Sequence, residues 1–199
     1  TAGQECGSLR RPCDFAQGSE AAPLAPLEDS AWQATLPGEG AAALLLGRAE
    51  ARGPGGGACL LPSSGRQAPR VAAASVRPRN GAAAAAFLRE SLAAAGAAPD
   101  EIGLYLFGAN GDRRVDALYA EAGRELGGAD GIPVGVFKHR CGEFGAASAI
   151  GIALAARAVR DRRIPPEIRC LSRPNGPMAR IAVCHVHAEG THSLCLVTA

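Results

Sequence analysis

With 199 residues and a net charge of +2, the chain has room for one domain or two small ones and gives no case for a nucleic-acid footprint, its basic residues clustering only at Arg160–Arg163. A hydrophobic content of 47% argues against wholesale disorder despite 14 prolines and 26 glycines. Few aromatics and many alanines predict helices lying close to a sheet through small side chains. Thr1–Glu20 contains no apolar signal-peptide core. The cysteines (Cys6, Cys13, Cys59, Cys141, Cys170, Cys184 and Cys195) are odd in number and form no CxxC pair, which favours reduced thiols and a cytoplasmic setting.

Residues 1–35 are polar and proline-rich and read as an irregular segment. The glycine turn at 38–40 leads into Ala41–Leu46, expected to be a short buried strand, and the glycine-rich stretch around Gly56-Gly57 reads as a flexible insertion. Val71–Val76 follows as a short strand. Asn80 is a good N-cap for a helix with Phe87, Leu88 and Leu92 on its stripe, closed by Gly96. Ile102–Phe107 reads as a buried strand, Val115–Leu126 as an amphipathic helix, and Ile132–Phe137 as another strand. Ile181–His187 and Ser193–Thr198, around AEGTH, carry a hairpin signal. Strands alternating with helices imply a mixed α/β sheet whose function gathers in the loops beyond the strand ends. Three such loops stand out: GANGD, KHRCGEFGAAS and HAEGTHS.

The chain is organised around Lys138–Pro166. A glycine turn there holds a lone carboxylate, Glu143, ahead of a helix that is almost all small or aliphatic over 145–159 and ends in RDRR and two prolines. A helix apolar on all sides is normally buried on all sides. This one falls short of the roughly 20 residues needed to span a bilayer, so no membrane role is expected. The remaining elements cover about half of it. Burial is worth about 25 cal/mol per Å² of apolar surface, so several kcal/mol would be forfeited without a partner.

Four blocks, covering roughly residues 36–199, resemble β-ketoacyl synthases, the condensing enzymes of thiolase fold. LPGEGAAALLL resembles the family's glycine-glutamate-glycine block. DEIGLYLFGANGDRRVDALYAEA resembles the segment carrying the first catalytic histidine, with the family aspartate at Asp116. KHRCGEFGAASAIGIALAARAVRDRRIPPE resembles the segment with the lysine, the second histidine and the central buried helix, and it is the most specific of the four. HAEGTHSLCLV resembles the final turn and strand. The resemblance implies a layered α-β-α thiolase-like fold, mainly one half of the duplicated arrangement. It places the family active-site positions at Gly108, Lys138, Glu143 and His192. The first histidine thus falls on Gly108 or its neighbour Ala109, the second falls on Glu143, and His192 takes the place of an asparagine. No nucleophilic cysteine precedes the first block in a recognisable elbow. The pattern is similar to chain-length factors, non-catalytic subunits that form heterodimers with ketosynthases in polyketide and fatty-acid biosynthesis.

Several residues carry a second reading. Glu143 serves as a functional carboxylate, a proton acceptor if burial raises its pKa, or a carboxylate stabilised at a helix N-terminus. Lys138 orients an active-site group or pairs with Glu143. Cys141, near a helix start where a thiol pKa would fall, has His139 two residues away as a base. Cys184, His185, His187 and His192 invite zinc, but strand alternation sends Cys184 and His185 to opposite faces, so satisfied or surface histidines are the better expectation and no metal is expected. GANGD lacks the lysine-serine ending of a phosphate loop, and no cofactor is implied. The expected partner is a ketosynthase subunit or the complementary N-terminal half, with an acyl carrier protein as a further contact for RDRR. The alternative is an acyltransferase, condensing or hydrolytic enzyme whose cysteine lies on a companion chain, with Glu143 in place of a histidine.

Overall fold

The computed structural model describes residues 38–44, 46–48, 58–60, 70–77, 80–127, 131–187 and 190–199. The irregular segment expected over 1–35, and with it the boundary at 36, lies outside them, as does most of the insertion around Gly56-Gly57.

The described strands are β1 (Leu46–Arg48), β2 (Ala58–Leu60), β3 (Arg70–Val76), β4 (Leu104–Phe107), β5 (Val134–Val136), β6 (Arg169–Cys170), β7 (Arg180–Val186) and β8 (His192–Thr198). They form one sheet in the order β1-β2-β3-β8-β7-β4-β5-β6. The centre is mixed: β7 and β8 make the expected antiparallel hairpin, whereas β4 runs parallel to both β7 and β5. The helices are α1 (Gly81–Ala94), α2 (Arg113–Gly127), the single turn α3 (Lys138–Cys141) and α4 (Ala147–Asp161). Asn80 caps α1 as expected, its side chain accepting from the Ala83 N–H at 2.9 Å, and Gly96 ends it at φ +72°.

Two expectations shift. The segment Ala41–Leu44 is not a strand; pairing begins at Leu46, because Gly38 and Gly40 tie this segment to the turn after α3 instead. The Gly38 N–H donates to the Glu143 carbonyl at 3.1 Å, and a Cβ on Gly38 would strike the Cys141 carbonyl oxygen. The long apolar helix begins at Ala147, since 143–146 form the turn that precedes it.

The sheet carries helices on both faces. Alternation along the strands sends Tyr105, Phe107, Ala182, Cys184, Val186, Leu194 and Leu196 toward α1 and α2, where they meet Leu88, Leu92 and Tyr119 in one core. The other face offers Leu104, Leu106, Ile181, Val183 and Val197 to α4. There Ala147, Gly151, Ala155, Ala158 and Val159 are buried, and their small size lets the helix lie close to the sheet. A Cβ on Gly151 would come within 2.8 Å of the Phe137 ring. The opposite side of α4 is not enclosed by the described residues: Ala153 is exposed, and Ala149, Ile152 and Ala156 are only half-buried. Beyond Asp161, Arg162 adopts a left-handed cap at φ 49°, and Arg162 and Arg163 are exposed, as a solvated helix end requires.

Candidate functional site

The carboxyl ends of β4 and β7 and the amino end of α4 converge on one spot. β4 ends into Gly108, whose N–H donates to the Cys184 carbonyl at 2.9 Å and so continues the parallel ladder. The loop beyond it is closed by Asp116 in the first turn of α2, whose carboxylate accepts the N–H groups of Asn110 and Gly111 at 3.1 and 3.0 Å. Burial pushes the Asp116 carboxyl up to about 6 against the pull of those two bonds. The loop therefore spends its amides on its own aspartate and not on a bound phosphate.

The fixed loop aims the Asn110 side chain at Glu143, donating to its Oε2 at 2.7 Å. Lys138 opens α3 directly after β5, with its side chain fully buried, and its Nζ meets the same oxygen at 2.5 Å. The pairing of Lys138 with Glu143 is thus as the sequence suggested, and Asn110 joins it. The helix-terminal role for Glu143 is replaced: its carboxylate serves side chains from α3 and the β4 loop, four residues ahead of the first residue of α4. Burial acts to raise the Glu143 pKa, but the Lys138 and Asn110 hydrogen bonds and the Lys138 charge outweigh it and hold the carboxyl below its ordinary value. A carboxylate so held is a poor proton acceptor, contrary to the raised pKa that a base would need. Burial also lowers the Lys138 pKa, opposed by Glu143.

Gly108, Lys138 and Glu143 are brought together, whereas His192 is not. Paired with Val186, it projects to the α1/α2 face of the sheet. His185 and His187 share the α4 face as alternation predicts, with ring centroids 4.5 Å apart, and Cys184 faces the other way. The expectation of satisfied or surface histidines holds for His187, whose Nε2 lies 3.2 Å from Ser193 Oγ, but not for the buried His185 and His192, whose Nδ1 and Nε2 respectively have no hydrogen-bond partner among the described residues. Among the described residues no group of three metal-ligating side chains is assembled. Cys141 ends α3 instead of starting a long helix, so no dipole lowers its pKa, and burial raises it. Its thiol contacts the Gly142 carbonyl at 3.5 Å, and the neighbouring His139 is pushed down to about 4 by burial. The four described cysteines are free.

Three participants escaped the sequence reading. Asn110 carried a faint signal as a polar residue in a loop beyond a strand end. Tyr119, whose hydroxyl accepts the Val186 N–H at 2.6 Å, carries no signal of this in the sequence of its helix. The closeness of His185 to Gly108 depends on a parallel register that no local pattern encodes.

The layered α/β arrangement, with α4 against the sheet and a polar cluster at its amino end, is that of one half of a ketosynthase thiolase-like fold. Residues 65–171, more than half of the chain, match the family described as beta-ketoacyl synthase, C-terminal domain, and the chain belongs to that family. Among solved structures it is similar to the AntDE:AntF assembly, a type II polyketide synthase acyl-carrier protein in complex with its ketosynthase bound to the hexaketide. The TM-score is 0.53 at 18% identity, covering 64% of this chain and 37% of that one. It is also similar to the oxazolomycin ketosynthase domain OzmH KS7 of Streptomyces albus JA3453, with a TM-score of 0.52 at 18% identity, covering 68% of this chain and 30% of that one. At such identity the likeness speaks for the fold, and the chain spans about a third of the length of these structures. No curated protein sequence matches it. Among the described residues no helix is long and apolar enough to cross a membrane.

Proposed function

We propose that this chain is a ketosynthase-like subunit of a fatty-acid, polyketide or polyene assembly system, without a catalytic set of its own, that works by pairing with a ketosynthase or with the complementary N-terminal half of the fold. The observation that carries this reading is the half-covered α4. A helix with aliphatic residues on its outer side keeps Ala149, Ile152, Ala153 and Ala156 wholly or partly in solvent among the described residues. Obligate interfaces of this apolar kind resemble a core cut in two. Glycine at 108 and an ion-paired glutamate at 143 supply no imidazole at the positions where the resemblance expects two, which supports a non-catalytic role of the chain-length-factor type. The reading with Glu143 as a base on a shared active site is disfavoured by the bonds that keep this carboxyl ionised. An acyl carrier protein is a further proposed partner. Carrier and ketosynthase occur together in the AntDE:AntF structure, and here the exposed Arg162 and Arg163 offer positive charge to an acidic surface.

The test places a photo-activatable cross-linker at Ala153 in the full chain, expressed in its native host or together with any ketosynthase-fold polypeptide found encoded beside it. We expect a cross-link to such a polypeptide and a mass by light scattering equal to the sum of the two chains. A monodisperse monomer with no cross-link would overturn the proposal.

A further inference from the structure

We infer that His185, presented from β7, is the imidazole of this site, and that position 108 is glycine so that this ring can stand beside Lys138 and Glu143. The argument starts from the sheet. β4 and β7 are parallel with Phe107 beside Cys184, so the next residues, Gly108 and His185, are neighbours whose side chains project to the same face. The two positions compete for one space. A Cβ on Gly108 would lie 2.9 Å from His185 Nδ1, 3.1 Å from the Tyr119 hydroxyl and 3.2 Å from Lys138 Cε. Three different elements therefore close on the hydrogen of a glycine, and the ring occupies what a side chain at 108 would need.

The ring is not there for the fold alone. His185 is 5% exposed and its Nδ1 has no hydrogen-bond partner among the described residues, an arrangement that costs stability and that an aliphatic residue would avoid. The groups that face it are Lys138 from α3, Glu143 from the turn before α4, Tyr119 from α2 and His187 from its own strand. Burial first, and then the Lys138 and His187 charges, push its pKa down to about 4, with Glu143 pulling the other way. At neutral pH it is an uncharged ring beside an ion pair. Such a ring suits a neutral oxygen, a carbonyl or a hydroxyl, better than a second anion. Glu143 keeps a quarter of its side chain in solvent and marks where such a group would enter.

This inference rests on the geometry of the site and not on the pairing proposed above, so the two fail separately. Its test is a cycle in the full chain, with Gly108→Ala made in the wild type and in His185→Ala. Gly108→Ala is expected to lower the Tm by about 5 °C or more in the wild type, as an overpacked site does in a small domain, and by less than half as much once the ring is gone. Equal losses in both backgrounds would overturn the inference. The second arm follows the His185 ring by NMR, which a purely space-filling role would leave unmoved. Lys138→Met removes the adjacent cation and is expected to raise the ring's midpoint by about one unit or more. Where that variant fails to fold, Glu143→Gln is expected to lower it. A midpoint unchanged in whichever variant folds would equally refute the assignment.

Discussion

The two faces of the sheet are built by opposite means. Toward α1 and α2 the chain offers large side chains, Leu88, Leu92, Tyr105, Phe107 and Tyr119, and two helices pack on each other over them. Toward α4 it offers a helix whose inner side is alanine and glycine, so the backbone comes close to β7 and β8 while its outer side stays partly uncovered. The first face is finished within the described residues, and the second leaves the outer side of α4 partly uncovered by them. The polar cluster lies where they meet, with Asp116 rooted in α2 on the finished side and Lys138, Glu143 and His185 on the α4 side.

The contrast can be broken most forcefully at Leu92, which is fully buried on the finished face. Leu92→Ala is expected to cost about 2–5 kcal/mol, the range for large-to-small changes that leave a cavity. Urea unfolding of the full chain measures it, and a cost under about 1 kcal/mol would show that this face is no more complete than the other.

Acid sets the two sides against each other. His185 and His139, held near 4, and His192, also lowered, stay neutral in the folded chain while their unfolded counterparts take protons near 6.5. Their contribution is present above that value and is lost as pH falls from about 6.5 toward 4. Asp116 works in the opposite sense: raised to about 6, it adds stability as pH falls toward its ordinary 3.8. At about 1.4 kcal/mol per unit, His185 and Asp116 nearly cancel, and the other two histidines decide the sign. A net loss on the order of 2 kcal/mol between pH 7 and pH 4.5 is expected from urea midpoints. A gain would mean that the aspartate on the finished side dominates.

The smallest effect belongs to the open face. Ile152→Ala is expected to cost about 1 kcal/mol or less in the isolated chain, because the side chain is only half-buried. The same change is expected to weaken the pairing proposed above. An isolated cost of about 3 kcal/mol or more by urea unfolding would mean that residues outside the described segments already cover α4.

Much of the framework was legible without coordinates. The cap at Asn80, the stop at Gly96, the strand before GANGD, the hairpin around AEGTH and the long small-residue helix each rest on local chemistry or periodicity, and each is found within two or three residues of its expected place. The lysine–glutamate pair was legible too, because its members stand only five positions apart across one glycine turn. What escaped was set by contact between distant segments. The stretch Ala41–Leu44 has the apolar look of a strand, yet its neighbouring glycines are claimed far along the chain, Gly38 by the turn at Cys141–Gly142 and Gly40 by the Phe144 ring. Cys141 seemed to precede a helix, but it ends a single turn inside the protein, which reverses the direction of its pKa shift. His192 stood with the site by its position in the motif and turned to the other face by the register of β8 on β7.

By itself, then, the sequence determined which stretches form helices and strands and that one helix is built almost wholly of small and aliphatic residues, since propensity, capping and hydrophobic period act over a few residues. Only the tertiary structure decided that Asn110 and Lys138 share one carboxylate oxygen, and that a histidine from β7 stands over Gly108. Those facts depend on the register and direction of neighbouring strands, and a shift of one residue would send every side chain on a strand to the opposite face of the sheet.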